Sequence, residues 1–210
     1  SGTATVFSGH LHDRPAGGAG APAGGDGRGP KDPGARSNSI VLVGMMAVGK
    51  TSVGRRLAHG RGWQFFDSDG QVEAITGRTV ADIWRTDGEA AFRRIEAEVL
   101  ADALASTTPR VIAAAGGTVL DPENRRLIGR HQPVVWLRAR PETLVSRVGS
   151  GTHRPLLDED PVGALRALEA VRRPFYDEVA DLVVDVDDLT PEQVVACVEA
   201  GLRHGGATNG

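Results

Sequence analysis

The sequence has little of what marks a disulfide-linked, membrane-spanning or zinc-binding protein. Its one cysteine, Cys197, excludes a disulfide within a single chain, and we expect that side chain to fill the core. No apolar run approaches the ~20 residues that span a bilayer. The six histidines show no metal-ligand spacing. A net charge of −3 argues against a general nucleic-acid binder. We therefore expect a soluble, cytoplasmic protein with neither a membrane nor a nucleic-acid partner.

Apolar periodicity is also missing from the first 38 residues. Residues 2–38 contain ten glycines and four prolines. Such a segment cannot bury enough apolar surface to offset its ordering entropy. It is not Arg-rich and has no apolar stretch of the kind found in signal peptides. We predict a disordered arm over residues 1–38 and one globular domain over residues 39–204, with no internal repeat and no second domain.

The most informative pattern that is present is GMMAVGKT, which matches the GxxxxGK[ST] phosphate-binding loop. It follows an apolar run at residues 40–43, typical of a buried strand, and it opens a helix. Bound phosphates would therefore lie at a helix N-terminus, where the macrodipole favours anions. The pattern predicts that Lys50 contacts the β- and γ-phosphates of a nucleotide and that the Thr51 hydroxyl ligates Mg²⁺. A Gly-rich turn without function is the alternative. The predicted nucleotide-binding set is Gly44, Met45, Met46, Ala47, Val48, Gly49, Lys50, Thr51 and Ser52.

Short apolar runs alternate with helical stretches along the rest of the chain. Strands are predicted at residues 40–43, 63–66, 111–114, 134–137 and 182–186. Helices are predicted at residues 71–76, 80–85, 89–105, 141–148, 161–176 and 191–202, together with one that Asp121 and Pro122 start. Five strands with intervening helices indicate an α/β protein, a three-layer α/β/α arrangement around a five-stranded parallel sheet.

Two carboxylates, Asp67 and Asp69, follow the second predicted strand directly. Ligands of such sheets bind at the carboxyl ends of the strands, so both side chains should face the phosphate site. Asp67 is predicted to hold Mg²⁺, directly or through water. Asp69 is predicted to accept a hydrogen bond or a proton from an attacking hydroxyl. The alternative is a solvated turn whose aspartate caps the next helix.

Taken in order, GMMAVGKT, FFDSD, ADIWRTDGEAAFRRIEAE, GG and HRPLL resemble the shikimate kinases, from about residue 39 to residue 202. The phosphate loop is shared by many unrelated NTPases, so ADIWRTDGEAAFRRIE is the specific part. The resemblance implies a P-loop NTPase fold of the nucleoside-monophosphate-kinase type with a mobile lid. It also implies transfer of the γ-phosphoryl group of ATP to the 3-hydroxyl of shikimate, with Mg²⁺, by a monomer on the route to chorismate and the aromatic amino acids.

The same resemblance assigns roles on the helical segment before residue 105. It implies that Arg93 grips the shikimate carboxylate, a task suited to a planar fork of donors. Glu96, one turn on, would hold Arg93 in place. Trp84 and Phe92 would wall the apolar side of the ring. From the residues alone, an ordinary solvated helix face and plain core packing explain these positions equally well.

Three further positions are assigned to the acceptor site by the resemblance. Gly116 and Gly117 would let the backbone approach substrate hydroxyls and carboxylate without a side chain intervening. Arg172 matches a second carboxylate-binding arginine, and its neighbour Arg173 is the alternative. One departure is Ala115, where the family usually has a third glycine, and its methyl group could crowd the acceptor.

Residues 148–157 resemble the family's lid. The resemblance implies that Arg154 contacts the transferred phosphate and the acceptor, and that Arg147, at the root of the lid, lies against adenine. Asp187 and Asp188 replace a basic stretch that helps to hold adenine in some members. Nucleotide affinity would then depend more on Arg147.

Two other functions stay open at this stage. A kinase of the same fold could act on another cyclic polyol acid, such as an aminoshikimate, and Ala115 is the feature that supports it. A related protein could also bind its ligands without phosphorylating them. Every residue type that phosphoryl transfer requires is present, which argues against the second possibility.

Overall fold

Five parallel strands form one sheet, in the spatial order 64–67, 110–113, 39–43, 134–138 and 182–185. The computed structural model describes residues 38–131, 133–148 and 160–205. The predicted five-stranded parallel sheet is confirmed, and the strand bounds shift by only one or two residues. The strands are β1 (Ser39–Val43), β2 (Gln64–Asp67), β3 (Arg110–Ala113), β4 (Val134–Arg138) and β5 (Leu182–Asp185).

The helices also fall where the sequence places them. Those in the described residues are α1 (Lys50–Arg61), α2 (Ser68–Thr76), α3 (Val80–Asp87), α4 (Glu89–Ala105), α5 (Pro122–Arg130), α6 (Pro141–Arg147), α7 (Pro161–Val179) and α8 (Pro191–Gly205). A single 3₁₀ turn over Thr118–Leu120 was not predicted. The Asp121 carboxylate accepts hydrogen bonds from the first turn of α5, which confirms the predicted cap.

The position of β1 at the centre of the sheet explains its uninterrupted apolar sequence. All five of its residues are buried, because helices cover both faces of the sheet. Its register pairs Val41 with Ile112 on one side and with Val134 on the other. The strand therefore delivers the loop at residues 44–49 to the middle of the sheet's carboxyl edge.

A second, smaller apolar cluster joins α2, α3 and α4. Its buried members are Val72, Ile83, Phe92 and Val99, and Phe66 of β2 packs against it. This cluster is separate from the core that covers the sheet. It fixes a small helical unit at the β2 edge and so gives α3 and α4 a stable position near the strand ends.

Cys197 is exposed, so the expectation that it fills the core is wrong. The buried positions of α8 include Val194 and Val198, which are four residues apart and lie on one stripe of the helix. Cys197 lies outside that stripe. Among the helices of the described residues, none is long and apolar enough to cross a membrane.

Candidate active site

The loop between β1 and α1 is shaped by three residues with positive φ: Gly44 (φ 139°), Ala47 (φ 60°) and Gly49 (φ 104°). A side chain at Gly44 is excluded, because a Cβ there would lie 2.3 Å from the carbonyl oxygen of Leu137. Ala47 places a methyl group in a backbone region that favours glycine, at a strain of ~1–2 kcal/mol. The loop has this shape despite the side chain of Ala47, at the cost of that strain.

Lys50 brings positive charge to the same point as the start of α1. Its Nζ donates to the carbonyl oxygens of Gly44 (2.8 Å) and Met45 (2.9 Å), so the ammonium lies against the loop. The first turn of α1 begins at the same place, so its backbone N–H groups add partial positive charge there. Ammonium and helix dipole together make this end of the sheet attractive to a polyanion such as a nucleotide phosphate chain.

Two oxygen ligands meet beside this loop. The Thr51 hydroxyl of α1 donates to Oδ2 of Asp67, at the end of β2, over 2.7 Å. No group of three or more His, Cys, Asp or Glu side chains suited to a metal occurs in the part of the chain that the structure describes. A hydroxyl and one carboxylate fit Mg²⁺, which takes few protein ligands and completes its shell with water and phosphate oxygens.

The junction between β2 and α2 is tied to the end of β3. Buried Ser68 accepts a hydrogen bond from the backbone N–H of Ala115 (2.8 Å). Asp69 follows in the first turn of α2. Burial is the main cause of the raised pKa of Glu96, and the charge of Asp69 nearby adds to it. Ala115 does not have a positive φ, so its methyl group adds no backbone strain.

Acidic and aromatic side chains surround the guanidinium of Arg93. Its Nη1 donates to Oε2 of Glu96 over 2.8 Å, and its Nε lies 3.4 Å from Oε1 of Glu89. The guanidinium carbon is 5.5 Å from the ring centre of Trp84 and 5.3 Å from that of Phe92. The predicted acceptor residues of α3 and α4 therefore come together in one place.

Glu96 is a buried anchor for Arg93, with 1% of its surface exposed. Burial raises the pKa of Glu96, and the Arg93 guanidinium opposes that shift. Its second oxygen, Oε1, and the Thr118 hydroxyl have no hydrogen-bond partner in the described part of the chain. That hydroxyl is nevertheless close enough to lower the pKa of Glu96 slightly.

Gly117 leaves room for the guanidinium of Arg93. A Cβ at Gly117 would lie 2.5 Å from both Nη atoms of Arg93, well inside contact distance. The neighbouring Gly116 lies against the other side of the site, where a Cβ would be 3.4 Å from Nη1 of Arg172. Two guanidinium groups thus flank one Gly–Gly pair.

Arg172 is buried, and the described residues provide no carboxylate to pair with it. Its Nη1 contacts Sδ of Met45 at 3.9 Å, and its Nε has no hydrogen-bond partner there. Arg173 is exposed and lies 3.7 Å from Glu169. Of the two candidate arginines, only Arg172 lies beside the glycines and the phosphate loop.

Tyr176, one turn after Arg172, is a buried hydrogen-bond donor. Its hydroxyl donates to the carbonyl oxygen of Gly116 over 2.6 Å. Burial raises the pKa of Tyr176 to about 12, so the hydroxyl keeps its proton over the working range of an enzyme. Tyr176 and Ser68 are site residues that the sequence interpretation did not assign.

Arg147 connects the phosphate loop to the end of β5. Its Nη2 donates to the carbonyl oxygen of Val186 (2.8 Å), and its Nη1 to that of Val48 (3.4 Å). Asp187, next along the chain, accepts from the backbone N–H of Arg140 (2.9 Å). Both acidic residues at 187–188 also lie within 4.0 Å of the Arg140 guanidinium, so among the described contacts they pair with Arg140.

The other predicted loop residues divide by burial. Met45 and Val48 are buried in the main core, Met46 is half-buried, and Ser52 is exposed in the first turn of α1. Arg154 and the rest of residues 149–157 of the predicted lid lie outside the described residues. Their roles stay predictions.

The chain is similar to one family over most of its length. A family model described as shikimate kinase matches residues 46–202. A shikimate kinase of Symbiobacterium thermophilum is 51% identical over 171 residues, which cover 80% of this chain and 98% of the relative. A shikimate kinase of Thermobifida fusca is 41% identical over 166 residues, which cover 79% and 95%.

Solved structures show the same similarity. The shikimate kinase from Acinetobacter baumannii in complex with shikimate has a TM-score of 0.75 at 34% identity, and the match covers 81% of this chain and 95% of that one. The shikimate kinase from Aquifex aeolicus has a TM-score of 0.71 at 30% identity, covering 82% and 99%.

Proposed function

Because the chain belongs to the shikimate kinase family, we propose that this site transfers the γ-phosphoryl group of ATP to the 3-hydroxyl of shikimate. The products are shikimate 3-phosphate and ADP, on the route to chorismate and the aromatic amino acids. The observation that carries the proposal is the pair of guanidinium groups, Arg93 and Arg172, on either side of Gly116 and Gly117. Their position beside the phosphate loop fits an acceptor that bears a carboxylate.

The donor half of the site is the loop at residues 44–49 with the start of α1. Lys50 would turn from the loop carbonyls toward the β- and γ-phosphates of ATP, and the backbone N–H groups of α1 would add partial positive charge. Thr51 and Asp67 would hold Mg²⁺, which when bound neutralises charge on the phosphate oxygens. Arg147 lies between Val48 and Val186, a position that suits contact with adenine.

The acceptor half is formed by α4, α7 and the turn after β3. Arg93 binds one side of the shikimate carboxylate and is aligned by Glu96. Arg172 is proposed to bind the other side, since its buried guanidinium has no carboxylate among the described residues. Trp84 is proposed to face the apolar part of the shikimate ring, with the buried ring of Phe92 packed against it.

Catalysis in this arrangement consists of positioning and charge stabilisation. With the carboxylate held by two arginines, the hydroxyl of shikimate is directed toward Asp69, which accepts its proton or orients it for attack. Lys50 stabilises negative charge on the transferred group. Arg154 is proposed to do the same from the lid, on the strength of the sequence resemblance alone.

A coupled assay of ADP release with and without shikimate tests the proposal. Release that depends on shikimate supports it, whereas binding of both ligands without release indicates a non-catalytic relative. A panel that includes aminoshikimate and other cyclic polyol acids tests the acceptor. If another acid has the higher kcat/KM, the assignment to shikimate is wrong.

Arg93→Lys should damage shikimate binding although it keeps the charge. A point ammonium cannot reproduce two parallel hydrogen bonds to a carboxylate, and truncation of one partner of such a pair costs ~2–5 kcal/mol. We expect the KM for shikimate to rise at least about tenfold, with the KM for ATP changed by less than about twofold. Steady-state kinetics with each substrate varied separately measure both.

Arg94→Lys is the matched control for this change, because Arg94 is the next residue of α4 and is exposed. It should leave both constants unchanged. Gly117→Ala is a companion variant that keeps Arg93 but displaces its guanidinium, and it should raise the KM for shikimate as well. An Arg93→Lys enzyme that binds shikimate normally would remove the carboxylate role of this residue.

We further propose that residues 39–204 act as a monomer in the cytoplasm, where ATP is supplied. The described residues of both half-sites come from one chain, which supports a monomeric unit.

Removal of residues 1–36 spares Asn38, whose carbonyl oxygen accepts a hydrogen bond from the backbone N–H of Arg110 at the start of β3. The shortened protein should keep its kcat and melting temperature. A large fall in either would mean that the arm belongs to the functional unit.

A further inference from the structure

Met45 connects the phosphate loop to the buried arginine of the acceptor site. Its carbonyl oxygen accepts from Nζ of Lys50 at 2.9 Å, on the donor side. Its Sδ atom lies 3.9 Å from Nη1 of Arg172 and 3.8 Å from the hydroxyl of Tyr176. The side chain is 4% exposed, so water does not replace these contacts.

The two contacts of the sulfur differ in kind. Tyr176 has one hydroxyl proton and donates it to Gly116 over 2.6 Å, so its approach to the sulfur is a packing contact. Arg172 has five N–H groups, and a thioether is a weak acceptor that can take one of them. The sulfur is therefore a hydrogen-bond acceptor for the guanidinium and a packing partner for the phenol.

A buried guanidinium needs acceptors, because removing its N–H groups from water is costly when they stay unpaired. Nε of Arg172 has no partner among the described residues, and no carboxylate there pairs with the group. The Met45 thioether is thus a protein contact that can fix one face of this guanidinium. Nη1 of Arg172 also borders Gly116, where an added Cβ would lie 3.4 Å from it, so the group lies beside the proposed acceptor space.

We propose that Met45 is a positioning residue for the acceptor, and that its thioether orients Arg172 toward the carboxylate of shikimate. This inference rests on the proposed function. Because the contact ties Arg172 to the phosphate loop, the acceptor's carboxylate is aligned against the same segment that binds the donor. A thioether suits this task, since it holds the guanidinium without the strong ion pair by which a carboxylate would compete with the substrate.

Met45→Leu tests the role of the sulfur, because leucine keeps a similar apolar volume but lacks the sulfur atom that accepts the hydrogen bond. One hydrogen bond of ordinary strength corresponds to a change of about 2–10-fold, so the KM for shikimate should rise by that factor. The KM for ATP should change by less than about twofold. Val179→Ala, a buried change elsewhere on α7, is the control for loosened packing: it should lower the melting temperature without separating the two KM values.

A double-mutant cycle with Arg172→Lys decides whether Met45 acts through Arg172. If it does, Met45→Leu adds almost nothing to the shikimate KM once Arg172 is replaced. Additive effects, equal changes in the two KM values, or a loss explained by the melting temperature alone would each overturn the inference.

A measurement without substrate separates this inference from the proposed function. The Nη–H resonances of Arg172, assigned in a ¹⁵N-arginine spectrum by their loss in Arg172→Lys, should shift in Met45→Leu, because Nη1 is the atom that contacts the sulfur. An unchanged resonance contradicts the contact whatever the substrate is. A shifted resonance in a protein that does not phosphorylate shikimate would instead overturn the proposed function and keep the contact.

Discussion

Lys50→Ala should reduce phosphoryl transfer to near background while leaving the fold intact. Lys50 supplies the ammonium at the phosphate loop, and loss of one preorganised charge stabiliser typically costs ~10²–10³-fold in kcat. Its Nζ donates to the loop carbonyls of Gly44 and Met45, and Lys50 is not among the buried residues of the core, so the fold should survive the change. The ADP-release assay measures the loss, and circular dichroism with thermal melting checks the fold.

Shikimate binding provides the internal control for Lys50→Ala. Calorimetric titration should give a shikimate affinity close to that of the parent protein, because the carboxylate is held by Arg93 and Arg172. Activity within a few-fold of the parent would contradict the assignment of the loop at residues 44–51 to phosphate binding. A collapse of the melting temperature would show instead that Lys50 has a structural role.

Asp69→Asn should lower kcat by ~10²–10⁴-fold, the range for one positioned acid or base. The amide is nearly isosteric with the carboxylate but is a poor proton acceptor, so binding of ATP should change little. Asp69 lies in the first turn of α2 with Glu96 nearby, which places it on the acceptor side of the site. Measurement of kcat under saturating ATP, Mg²⁺ and shikimate isolates the chemical step.

Asp67→Asn is the matched comparison, two residues away. Because Asp67 contacts the Thr51 hydroxyl, its replacement should raise the Mg²⁺ concentration needed for half-maximal rate more than it lowers kcat at saturating Mg²⁺. If the two variants show the opposite pattern, the roles of Asp67 and Asp69 must be exchanged.

The architecture could be predicted from the sequence because its signals are local. Short, mostly apolar runs of four or five residues predicted all five strands, and the phosphate-loop pattern predicted the start of α1. The bounds of α4, Glu89–Ala105, agree with the predicted helix, since a glycine precedes it and the apolar stripe is continuous. The 3₁₀ turn at Thr118–Leu120 has no such periodicity and was missed.

The choice between Arg172 and Arg173 shows what the residue types alone do not give. Both are arginines in one helix, and the sequence pattern left the assignment open. The buried positions of α7 are Leu165, Arg172, Tyr176 and Val179, spaced by seven, four and three residues. This spacing marks one face of the helix, so helical periodicity was the signal that could have decided for Arg172.

Contacts between distant segments could not be predicted. Met45 and Arg172 are 127 residues apart, and only the packing of α7 against the end of the sheet brings them together. The same is true of Ser68 and Ala115, which are 47 residues apart. The prediction for Cys197 was wrong for a local reason. It treated the whole apolar stretch as buried and did not ask which face of the helix each residue lies on.

The close approach of Gly117 to Arg93 restricts the order in which mutations can accumulate. In a descendant that turns to an acceptor without a carboxylate, Arg93 can shorten first, and only then can position 117 gain a side chain without displacing a guanidinium. Once that side chain has filled the space, an arginine that returns at position 93 can no longer place its guanidinium where it lies now until the glycine is restored. A substitution at position 117 that is harmless by itself would therefore make the earlier loss of the carboxylate-binding arginine harder to reverse.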